Sequence, residues 1–175
     1  KMCDTPLLTP AETAKCKSGK LKLSEHYISA MRNHPDAKFA MINSKRDIVQ
    51  ISFERMYELT AERNLLGDFM TARQFYKDLN LILQEYVGEP NFHGYLLDGP
   101  QHCYTPLRLV YEATPLGPKG ESGGSPKMID WLDDLSAGSD VDTMVCLGPL
   151  EAADRFKPPV KNTQYCDAKQ MVSTA

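Results

Sequence analysis

Residues 38–47 read KFAMINSKRD, and the fold turns on how that run divides. Lys38-Phe39-Ala40-Met41-Ile42 is a short apolar run with the look of a buried strand. Asn43-Ser44-Lys45-Arg46-Asp47 then turns polar at once and reads as a loop beyond the strand's carboxyl end. The pattern recurs downstream. After Pro90, Asn91-Phe92-His93-Gly94-Tyr95-Leu96-Leu97 predicts a second strand, and Asp98-Gly99-Pro100-Gln101-His102 a second polar loop. Helical spacing fills the interval. Val49, Phe53, Met56 and Tyr57 recur on one side, with Glu54, Arg55, Glu58, Glu62 and Arg63 on the other. After a break at Gly67, Asp68 is placed to cap a further helix with the stripe Phe69, Ala72, Tyr76, Leu79, Leu83 and Tyr86, which Gly88 ends.

Working outward, a last helix is predicted from Met128 to Ser136, with Ile129, Leu132 and Leu135 inward, before a turn at Gly138 and Ser139. Strand, helix, helix, strand, helix is a βαβ crossover with one extra helix. The fold class is α/β, with two parallel strands and helices packed on the sheet. Upstream, Ser24 is positioned to cap a short helix with Tyr27, Ile28 and Met31 inward. That helix should stop at Asn33, because His34 precedes Pro35 and a residue before proline avoids the helical region. Residues 1–23, with Pro6, Pro10 and Gly19, read as a loop-rich lead-in to a domain over 24–146. Residues 147–175 hold Pro149, Pro158 and Pro159 without sustained periodicity, and read as an irregular tail lying across another surface.

At 175 residues the chain suits one domain with a sizeable core. It is 42% hydrophobic and 25% charged, with net charge −3 and no basic block, which argues against nucleic-acid binding. Its apolar runs are only a few residues long, so no membrane span is expected. The first residue is Lys1 rather than Met, as in a processed or partial chain. The five cysteines show no C-x-x-C spacing, which speaks against a zinc site. Cys3 with Cys16 and Cys146 with Cys166 could each close a loop; five unpaired thiols fit the spacing equally well.

In open α/β sheets, ligand-handling groups sit just beyond the carboxyl ends of the strands. Asp47 and His102 occupy those places. A carboxylate there can accept the Nδ1–H of the imidazole, fix its tautomer and stabilise its cation, leaving Nε2 to take a proton from a hydroxyl. The blander roles are a helix cap for Asp47 and a solvated loop residue for His102. His93 reads as a core or sheet-face residue, and His26 and His34 as surface residues. A metal site from His93, His102 and Cys103 is disfavoured, since neighbours in an extended chain point apart.

These segments also resemble a family. His34-Pro35-Asp36-Ala37-Lys38-Phe39-Ala40 with Asn43-Ser44-Lys45-Arg46-Asp47-Ile48-Val49-Gln50 resembles the acid-bearing segment of pectin acetylesterase-like hydrolases. Asn91-Phe92-His93-Gly94-Tyr95 through Gln101-His102-Cys103-Tyr104-Thr105-Pro106 resembles their histidine-bearing segment. Ile129-Asp130-Trp131-Leu132 and Val141-Asp142-Thr143-Met144-Val145-Cys146 resemble the close of their domain. The resemblance covers roughly residues 24–146 and implies the C-terminal part of an α/β-hydrolase fold. It implies serine carboxylesterase chemistry on acyl esters without a cofactor, with Asp47 as acid and His102 as base. It also leans toward the secretory pathway or the extracellular space.

In that family the nucleophile elbow lies upstream of the acid. Before Asp47 stand Ser18, Ser24, Ser29 and Ser44, none within G-x-S-x-G. GESGG at residues 120–124 matches the pattern literally, but Thr114-Pro115-Leu116-Gly117-Pro118-Lys119 before it cannot be a central strand. Ser122 also follows the histidine, the wrong order, so a surface loop is expected there. Two functions stand. One is the acid–base part of a serine carboxylesterase, with its serine from an N-terminal half or another chain. The other is a non-catalytic, hydrolase-like structural or interaction subunit of a larger assembly.

Overall fold

The computed structural model describes residues 3–60, 69–103, 113–114 and 127–145. Helices α1 (Pro10–Lys17) and α2 (Leu23–Asn33) precede strand β1 (Phe39–Ser44), and α3 (Ile48–Thr60) and α4 (Ala72–Tyr86) separate it from β2 (Phe92–Leu97). Helix α5 (Met128–Ser136) follows. The two strands pair in parallel, from Phe39 opposite Phe92 to Ser44 opposite Leu97. This is the crossover expected from the sequence: mixed helices around a small parallel sheet.

On its other side β2 meets a third, very short parallel partner. Tyr95 bridges Met144, with Leu96 N–H donating to Met144 O at 2.8 Å and Met144 N–H to Gly94 O at 2.7 Å. Flanked on both sides, β2 buries all six of its residues, whereas β1 buries only Asn43 and Ser44. Alternation along β2 splits the core in two. Phe92 and Leu96 join Met31, Ile51 and the α4 residues Tyr76, Leu79, Leu83 and Tyr86 on one face. Tyr95 and Leu97 pack with Met128 and Trp131 of α5 on the other. Tyr95 and Trp131 meet edge to face with centroids 5.3 Å apart, an arrangement worth about 1 kcal/mol beyond its buried area.

Several expectations need correction. The lead-in is not all loop. Thr9 and Glu12 form a reciprocal capping box around Pro10 that starts α1, and a Cys3–Cys16 disulfide ties the segment down. Lys22, not Ser24, occupies the N-cap of α2, and Tyr27 is largely exposed while Met31 is buried. The cap of α4 is Thr71, whose hydroxyl accepts from Gln74 N–H, and Phe69 lies before the helix. In α5 the innermost residues are Met128 and Trp131, with Leu132 and Leu135 only partly buried against them. The largest miss is α3, where Phe53, Met56 and Tyr57 are 60%, 51% and 57% exposed and Ile51 alone is fully buried. Gly67, Asp68, Ser122, Cys146, Cys166 and residues 147–175 lie outside the described residues.

Candidate functional site

The polar run after β1 is packed inside the protein. Asn43, Ser44, Lys45 and Asp47 are all buried, and the Lys45 ammonium lies over the Tyr76 ring, 5.2 Å from its centroid. Backbone bonds join this loop to the one after β2: Lys45 N–H to Leu97 O at 2.9 Å, Arg46 N–H to Gly99 O at 3.0 Å, and Ile48 N–H to Pro100 O at 3.2 Å. Arg46 and Asp98 add an ion pair at 3.3 Å. The two strand-end loops are therefore bonded to each other along their length, and a residue on each is held against the other.

Those residues are Asp47 and His102. Asp47 is 2% exposed, and its Oδ2 lies 2.8 Å from His102 Nδ1. Its Oδ1 accepts the N–H groups of Val49 at 3.0 Å and Gln50 at 2.9 Å, the N2 and N3 positions of α3. The Gln50 amide donates to Asp47 Oδ2 at 3.2 Å and to Asn43 Oδ1 at 3.3 Å. Asn43 Oδ1 also accepts Ser44 N–H at 2.8 Å. The carboxylate thus accepts from two backbone amides, one side-chain amide and one imidazole. Its position is fixed on every side.

His102 has 34% of its side chain exposed, and Nδ1 is the nitrogen facing the carboxylate. Among the described residues nothing hydrogen-bonds to its Nε2. The next residue, Cys103, has φ of 53° in the left-handed region, a conformation that costs a non-glycine residue on the order of 1–2 kcal/mol. Cys103 itself is an exposed free thiol.

Of the other histidines, His93 is buried with Nδ1 2.8 Å from Val141 O, a core position as expected. His34 is exposed, but His26 is half-buried against Glu12 Oε1 at 3.0 Å, so it is not a plain surface residue. Among the described residues no group of three or more His, Cys, Asp or Glu side chains is placed to hold a metal ion. No described helix is long and apolar enough to cross a membrane. Nor does any described serine hydroxyl hydrogen-bond to His102. Ser44 is fully buried with its Oγ unbonded, and Ser18 Oγ donates to Lys15 O.

Sequence reasoning reached Asp47 and His102 and missed Gln50 and Asn43. The signal for Gln50 was present: Asp47-Ile48-Val49-Gln50 has the spacing of a capping box, with a long amide three residues after the cap. No protein-family model, curated protein or solved structure matches the chain.

Proposed function

We propose that Asp47 and His102 are the acid and base of a serine carboxylesterase of the pectin acetylesterase-like type. The nucleophilic serine would come from a polypeptide segment beyond the described residues. The observation that carries this reading is the contact of 2.8 Å between a buried, four-times hydrogen-bonded carboxylate and the Nδ1 of a partly exposed imidazole. With Nδ1 protonated and held by Asp47, Nε2 is the basic nitrogen.

Acyl transfer then runs in two balanced steps. The serine hydroxyl gives its proton to His102 Nε2 as its oxygen bonds to the ester carbonyl carbon. The C–O bond to the alcohol breaks, and the alcohol leaves with that proton. Water next gives a proton to Nε2 while attacking the acyl carbon, and the serine oxygen recovers the proton as the acid departs. No cofactor enters either step.

The test is labelling of the native protein with a serine-reactive phosphonate, beside ester turnover. His102→Ala should lower both by roughly 10²- to 10⁴-fold while leaving the circular dichroism spectrum unchanged. Full turnover in that variant would remove His102 from the mechanism. The non-catalytic reading draws on the exposed apolar face of α3, which suits a chain packed on a neighbour. A native protein that takes no phosphonate label would favour it.

A further inference from the structure

Gln50 touches both oxygens of the Asp47 carboxylate. Its backbone N–H donates to Oδ1 at 2.9 Å, and its side-chain amide donates to Oδ2 at 3.2 Å. Oδ2 is the oxygen that lies 2.8 Å from His102 Nδ1. Held at Oδ1 alone, by the amides of Val49 and Gln50, a carboxylate could still swing its other oxygen, because its last torsion is soft. The second bond, to Oδ2, removes that freedom and sets the plane in which the oxygen meets the imidazole.

The sense of the Gln50 amide matters, since its oxygen in the same place would repel the carboxylate. A backbone group sets that sense. Ser44 N–H can only donate, so the Asn43 atom 2.8 Å from it is the oxygen, Oδ1. The same Oδ1 lies 3.3 Å from the Gln50 amide, which must present its nitrogen there. Nε2 carries two hydrogens, one for Asn43 Oδ1 and one for Asp47 Oδ2. Asn43 Nδ2 reaches back to Gln50 Oε1 at 3.5 Å and closes the pair. Each link fixes the polarity of the next, from the end of β1 to the oxygen that faces His102.

We infer that Gln50 is a positioning residue for the Asp47–His102 pair, and that Asn43 holds Gln50 in the sense this needs. Its effect on turnover rests on the esterase reading. Its effect on the imidazole does not, and can be followed without turnover. With Oδ2 fixed as the acceptor at Nδ1, the neutral ring keeps its proton on that nitrogen and Nε2 stays basic. With Oδ2 free to swing, the proton divides between the two nitrogens. A share of the protein then presents Nε2–H, which cannot take a proton from a hydroxyl.

The experiment compares Gln50→Met with wild type by nitrogen NMR of the neutral His102 ring and by ester turnover of the native protein. Met has the length of Gln without its donor, so it would replace a residue that only fills space with no effect on either readout. For a positioning residue, the two ring nitrogens should move from distinct resonances toward averaged ones. The kcat should fall roughly tenfold to 100-fold with KM unchanged. Gln50→Glu turns an acceptor toward Asp47 in the same shape and should exceed Met in both readouts. Asn43→Leu leaves Gln50 in place without its guide, and should move both in the same direction by less. Protected amides at Val49 and Gln50 would show in each variant that Oδ1 and the start of α3 are intact. Ring nitrogens in Gln50→Met that match wild type would overturn the inference, whatever the turnover. So would a raised KM with kcat unchanged, which would make Gln50 a binding residue. Averaged ring nitrogens in a protein whose wild type turns over no ester would instead sink the esterase reading and leave Gln50 as the residue that holds the pair.

Discussion

Asp47 divides its two carboxylate oxygens between two tasks. Oδ1 caps α3 through Val49 and Gln50, while Oδ2 faces His102. A helix cap and a catalytic acid looked like competing readings of this residue, and the geometry lets one side chain serve both. The tasks separate by substitution. Asn is as good a cap as Asp, so Asp47→Asn should lose less stability than Asp47→Ala, its cost confined to the amide that takes the place of Oδ2 before Gln50 and His102. It loses the charge that would steady an imidazolium, and turnover should fall roughly 10²- to 10⁴-fold. Asp47→Ala should lose activity and, with the cap gone, about 1 kcal/mol of stability as well. Urea melts of the two variants beside their ester turnover would check this. Equal stability losses would show that the cap is not what Oδ1 provides. Ser44 offers a second test nearby. Its buried hydroxyl has no hydrogen-bond partner among the described residues, and such a group carries a desolvation penalty of about 1–3 kcal/mol. Ser44→Ala should therefore leave stability equal or higher and turnover unchanged. Loss of all turnover would show that the Ser44 hydroxyl supports the site despite its lack of a partner there.

At the scale of elements, legibility followed burial. In α4 the stripe Tyr76, Leu79, Leu83 and Tyr86 is the inward face in the folded protein, because a strongly amphipathic helix has one way to pack. The stripe of α3 also recurs at helical spacing, yet Phe53, Met56 and Tyr57 point outward. Periodicity identifies a face that wants covering but not which surface covers it, and here nothing among the described residues does. The Met144 bridge was unreadable because a single paired residue leaves no alternation to detect. Helix α1 is legible in the sequence: Thr9-Pro10-Ala11-Glu12 carries both a capping box and a proline at the first helical position. That box has a measurable pH signature. Hydrogen bonds from Thr9 first, then the His26 contact, hold the Glu12 carboxyl down from 4.5 to about 2. A depressed carboxyl stabilises the fold above its unfolded value and loses that contribution as pH falls through the folded one. Thermal stability should thus decline between about pH 4.5 and 2 more steeply in wild type than in Glu12→Gln. Parallel pH profiles of melting temperature would show it, and superimposed slopes would mean that the Thr9 and His26 contacts contribute nothing to stability.

Across the whole molecule, the candidate site and the N-terminal helix pair are built by different means. The site is held by backbone bonds between two strand-end loops and by the Asp47 network. The N-terminal segment is held by the Cys3–Cys16 disulfide, the Glu12–His26 contact and a Lys15–Glu25 ion pair at 2.9 Å. Cysteine spacing alone left the pairing open, since two half-cystines and two thiols at that separation look the same in sequence. What the bond supplies is loop closure: a span of 13 residues suggests up to about 3 kcal/mol by chain entropy. Because the Lys15–Glu25 pair is solvent-exposed, it adds little of its own. Reduction, or Cys3→Ser, should therefore loosen the segment before α2 while leaving the Asp47–His102 contact in place. Amide exchange should speed up across residues 3–17 and stay unchanged at Val49 and Gln50, whose N–H groups report directly on Asp47. If reduction instead frees those two amides, the disulfide and the site belong to one cooperative unit, and the division drawn between them fails.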